Sequence, residues 1–157
     1  MIRAVLEGIN RIIIAGSGIA LVAASGVLSY SVLIRYFLKL PTVWEDETAV
    51  FLLVGAMFLS AAHVQDRRGH IGIEAVVELL SPGVNAIRRR LVDLASLVFC
   101  GFFAWKSWTL LGEAWVDGQV TDSTWGPPLW IPYSMMAAGM SLLVLQLGLQ
   151  VIEGSRR

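Results

Sequence analysis

Glu45-Asp46-Glu47, three consecutive acids, come nearest to a recognisable chemistry in this chain. Grouped carboxylates can bind a cation, but a hard cation needs several oxygen ligands around it. No further ligand stands nearby, so the acids read as surface charges. His63 and His70 are the only histidines. A haem clamped between helices needs histidines facing each other from different segments. These two are seven apart on one segment, which reads as hydrogen bonding at a surface rather than ligation. Cys100 is the single cysteine and lies in an apolar stretch. It cannot close an intramolecular disulfide and is alone a poor metal site, so it reads as a small packing residue. The sequence shows no paired acids beside a nucleophile, no phosphate-binding glycine loop and no cluster of metal ligands. It does not read as an enzyme, and no cofactor or metal site is expected.

The composition explains where these few polar groups must sit. Of 157 residues, 56% are hydrophobic and only 15% are charged, against roughly a quarter charged in soluble domains. So much apolar surface needs a membrane. The length allows one domain, residues 1–157. Twelve basic and twelve acidic residues cancel, which argues against a nucleic-acid partner.

Apolar runs predict an all-α integral membrane protein with four transmembrane helices, at about 12–34, 48–65, 91–111 and 129–152. Each is near the roughly 20 residues that cross a bilayer core. The third run is the least clean, with Asp93 near one end and Lys106 near the other, both able to reach toward headgroups. Nine arginines (Arg3, Arg11, Arg67, Arg68, Arg88, Arg89, Arg90, Arg156 and Arg157) fall on one side, against Arg35 and Lys39 on the other. That bias predicts cytoplasmic termini. The first run is too long for the apolar core of a signal peptide, so it reads as an uncleaved span.

All six tryptophans fall at or beyond the expected outer ends. There an apolar ring and a polar N–H are both accommodated. In the inner connection Ile73, Val76, Val77 and Leu80 follow i, i+3, i+4, i+7, with Glu74 and Glu78 on another face. A short cytoplasmic amphipathic helix between spans two and three is expected, ended by Ser81-Pro82-Gly83.

A transporter with its own substrate site usually shows ionisable residues or broken helices near the bilayer centre. Spans one and four carry no charge, and span two has only His63 near its inner end. Packing signals are stronger. Gly16, Ala20 and Ala24 recur every four residues in span one, and Gly55, Ser60, Ala61 and Ala62 thin span two. Small residues so spaced let backbones approach in lipid.

Several stretches, taken in order, resemble one family. They are Arg35-Tyr36-Phe37, Trp44-Glu45-Asp46-Glu47, Ser60-Ala61-Ala62, Arg68-Gly69-His70-Ile71 and Pro128-Leu129-Trp130-Ile131-Pro132-Tyr133 with Gly139. Together they resemble the small membrane subunit, of DctQ type, of tripartite ATP-independent periplasmic (TRAP) transporters. The chain departs from that pattern at Ser60, where glycine is common, at Glu74, where aspartate is common, and at Ala137, where proline is frequent.

The resemblance implies a small subunit of the bacterial inner membrane. Its partners would be a large membrane subunit, a periplasmic substrate-binding protein and membrane lipid. Organic acids would be taken up by symport, with a sodium gradient used by the large subunit. The small subunit would scaffold the large one and help to dock the binding protein. Arg35, Tyr36, Trp44, Glu45, Glu47, His70 and Trp130 are the residues expected to serve structure or subunit contact. Pro41 is expected to break the helix, and Arg35 to pair with one of the three acids at the positive end of span two. The competing reading is a four-span anchor subunit of a redox enzyme.

Overall fold

A computed structural model describes residues 2–66 and 82–154. Four long α-helices account for most of them: α1 (Ile2–Leu33), α2 (Trp44–Asp66), α3 (Pro82–Val116) and α4 (Trp130–Gly154). All four are long and apolar enough to cross a membrane, over Arg11–Leu38, Trp44–Gln65, Gly83–Val116 and Trp130–Ile152. The expected amphipathic segment 71–80 and His70 lie outside the described residues.

The third helix is longer than its apolar run. It has 35 residues, about 52 Å at 1.5 Å per residue, against a core of about 30 Å. Pro82 occupies its first position, where a missing N–H costs nothing. Arginines 88–90 interrupt hydrophobicity but not helix formation, so the backbone continues through them. The helix ends at Val116. The Gln119 N–H then donates to the Ala114 carbonyl at 3.1 Å, with Gly118 at φ +60°. That is the left-handed helix stop that glycine tolerates best.

The loop from α3 to α4 folds on itself. Thr121 N–H donates to the Pro127 carbonyl and Leu129 N–H to the Gln119 carbonyl, at 3.1 and 3.0 Å. This loop and the short α1–α2 connection lie at one end of the helices, here termed the turn end. Extensive helix contacts join α1 to α2, α2 to α4 and α4 to α3. The helices therefore form an open row, with α2 and α4 central and α1 and α3 flanking.

Small residues set the centre of that row. Gly139 on α4 sits against the Phe58 carbonyl and the Leu59 nitrogen of α2 so closely that any side chain would collide with backbone. Ala49, Ala56, Ala62 and Ala137 are buried, and Leu147 is the largest fully buried apolar side chain. Without a hydrophobic drive between helices in lipid, such close approach supplies the contact energy. In the span-one stripe only Ala24 is buried; Gly16 is exposed.

Candidate functional site

The polar structure of the chain concentrates where α1 turns into α2. The last turn of α1 widens into a π-helical turn, Ile34–Leu38. Such turns are rare and recur at functional sites. Lys39 then takes a left-handed conformation, φ 53° and ψ 27°, which ends the helix two residues before Pro41. A non-glycine residue there costs roughly 1–2 kcal/mol, so surrounding contacts must hold the turn.

Those contacts are visible. Arg35 Nη2 donates to Ser31 Oγ at 3.0 Å and to Asp46 Oδ1 at 3.3 Å. Ser31 Oγ donates in turn to Thr42 Oγ1 at 3.0 Å. One guanidinium therefore ties α1, the connecting turn and the first turn of α2 together. Ser31 is fully buried, so its hydroxyl depends on these partners. Neither Ser31 nor Thr42 stands out in the sequence. The available signal is that Ser31 precedes Arg35 by four residues, on the same helix face.

Glu45, Asp46 and Glu47 occupy the first turn of α2, where the helix dipole favours negative charge. Their surroundings differ sharply. Asp46 faces Arg35. Glu45 is only 5% exposed, on the helix face that also carries Ala49 and Ala56. The Oε2 atoms of both Glu45 and Glu47 are buried and have no hydrogen-bond partner among the described residues.

Glu47 and Asp46 also stand at the mouth of a groove of about 500 Å³ between α2 and α4. Val50, Val54 and Phe58 form one wall and Leu129, Pro132 and Met136 the other, with Thr121 of the loop at the same end as the acids.

Tyr36 and Trp44 belong to the same turn and are exposed at 76% and 46%. Tyr36 packs edge-on against Phe37. Trp130 opens α4 and packs edge-on against Trp115 of α3, with ring centres 5.2 Å apart. The structure thus gathers Arg35, Tyr36, Trp44, Glu45 and Glu47 at one turn. Trp130 heads a different helix at the same end.

Two tryptophans lie deeper than their expected place at the outer ends. Trp108 Nε1 donates to Ser141 Oγ at 3.0 Å, and Ser141 is near the middle of α4. Trp105, about one turn nearer the N-terminus of α3 and so deeper still, carries Lys106 Nζ 5.1 Å from its ring centre. The cause is the added length of α3, which places its end at Val116 rather than near residue 111.

At the opposite end, Gln65 Nε2 donates to Gln150 Oε1 at 2.8 Å, and Gln150 Nε2 donates to the Gln65 carbonyl at 2.9 Å. This reciprocal pair joins α2 to α4. It was not apparent in the sequence, where the only clue is that both residues lie near the C-terminal ends of spans that run in the same direction. Among the described residues no three His, Cys, Asp or Glu side chains meet in a way that could hold a metal ion.

Four helices in an open row, each long and apolar enough to cross a membrane, define a multi-pass membrane protein. The family model of the tripartite ATP-independent periplasmic transporters, DctQ component, matches residues 24–157. The chain belongs to that family, whose members are the small membrane components of TRAP transporters. No curated protein matches it in sequence.

Proposed function

We propose that this chain is a non-catalytic scaffold. It holds the large membrane component of a TRAP transporter in the bilayer and helps to dock a periplasmic substrate-binding protein. Organic acid uptake would be driven by an ion gradient used by the large component. The working location is the bacterial inner membrane, with both termini cytoplasmic, a reading supported by the nine-to-two distribution of basic residues.

One observation carries the proposal: the row of helices is open. The flanking helices present large apolar side chains outward, with Ile19 71%, Val22 75%, Val98 67% and Phe99 64% exposed. Lipid can cover such faces, but an open row also offers a broad surface to a larger membrane protein.

Uptake by proteoliposomes tests the reading. The large component, binding protein and this chain together should take up substrate. Omitting this chain should reduce uptake at least about tenfold. Uptake by this chain alone would contradict the scaffold role.

A further inference from the structure

The groove between α2 and α4 has a length and a charge that select its occupant. Its acids stand at residues 46 and 47 and its deepest α2 wall is Phe58. Eleven helical residues rise about 16 Å, half of the roughly 30 Å hydrocarbon core. A partner helix crossing the bilayer would need a groove about twice as long. One leaflet of lipid matches the observed length.

The walls are apolar below the mouth, as Val54, Phe58, Pro132 and Met136 illustrate. Charge is confined to the mouth. Asp46 is balanced by Arg35, which leaves Glu47 as the unbalanced carboxylate. Its buried Oε2 accepts no hydrogen bond among the described residues. A buried carboxylate oxygen gains most from a charged N–H donor.

The geometry points to a binding site for one phospholipid with a primary-ammonium headgroup. Its acyl chain lies along α2 and α4, and its ammonium donates to Glu47 Oε2. A quaternary ammonium has no N–H to donate, and an anionic headgroup meets like charge at the mouth.

The test places the full-length chain in nanodiscs containing equal parts of phosphatidylethanolamine, phosphatidylcholine and phosphatidylglycerol. Lipids retained on the protein are then counted by native mass spectrometry. Phosphatidylethanolamine should be enriched at least about threefold over its share. Glu47→Gln should return retention to the bulk ratio, whereas Glu113→Gln, on exposed α3 surface, should not. Val54→Trp, which fills the groove, should reduce retention even if Glu47→Gln does not fold. Retention in bulk proportion by the unaltered chain would overturn the proposal. So would equal retention of the choline lipid, or a preference that survives both groove variants. A photocrosslinker at Val54 supplies an independent arm in intact membranes. A lipid adduct supports the assignment, and a protein adduct in its place overturns it.

Discussion

Arg35 acts on two partners at once, Ser31 and Asp46, and their surroundings decide what its removal costs. Its ion pair with Asp46 has both side chains about half exposed, and such pairs contribute only about 0–1 kcal/mol. The hydrogen bond to buried Ser31 adds to this, because a buried hydroxyl left short of partners is costly. Arg35→Ala should therefore lower thermal stability in detergent modestly and reduce assembly with partner subunits, while substrate selectivity stays unchanged. A double-mutant cycle should show coupling of Arg35 to Asp46 and none to Glu45 or Glu47. The sequence makes a pairing with one of three consecutive acids readable. It does not reveal which, because successive helix residues point about 100° apart. Only the start of α2 at Trp44, set by the π-helical turn and left-handed Lys39, selects Asp46.

Gln65 and Gln150 belong to the same scale. Polar pairs between membrane helices average about 0.6 kcal/mol. Gln150→Leu should destabilise by about that much or somewhat more, since it strips both the Gln65 side chain and its carbonyl of a partner. Adding Gln65→Leu should cost less than the sum of the two single changes. Unfolding in mixed micelles measures all three variants.

Among elements, the α2–α4 contact is the most demanding. A methyl group at Gly139 meets backbone of Phe58 and Leu59, which cannot swing aside. At Gly55 the nearest atom is Met135 Sδ at 2.6 Å, the flexible part of a side chain. Gly139→Ala should therefore destabilise by about 1–3 kcal/mol, the range for overpacking, and Gly55→Ala by clearly less. Comparable losses at both sites would contradict the described crossing. Gly139 was readable only through its place in the family-like pattern, since one glycine in an apolar run says nothing of what approaches it. The helices themselves were plain from their apolar runs. The ends of α3 were not, because hydropathy reports where a helix is greasy, and arginines 88–90 are good helix formers.

For the whole molecule, one apolar face of each span is already used within the chain and another is left exposed. Membrane insertion accounts for that surface chemically, and the family assigns the chain to a multi-component transporter. The basic-residue bias predicts which way the row stands. In a Cys100→Ser background, a cysteine at Asp122 in the turn-end loop should react with an impermeant thiol reagent added to intact spheroplasts. One at Ser155 should react only after lysis. The opposite pattern would invert the orientation.

The scaffold account itself is tested most directly by isolating this chain through a terminal tag, coexpressed with an untagged large TRAP component. The account predicts that the large component co-purifies in fixed stoichiometry, and that Arg35→Ala lowers its yield. Recovery of the tagged, folded chain alone, with the large component assembled and active elsewhere in the membrane, would contradict it.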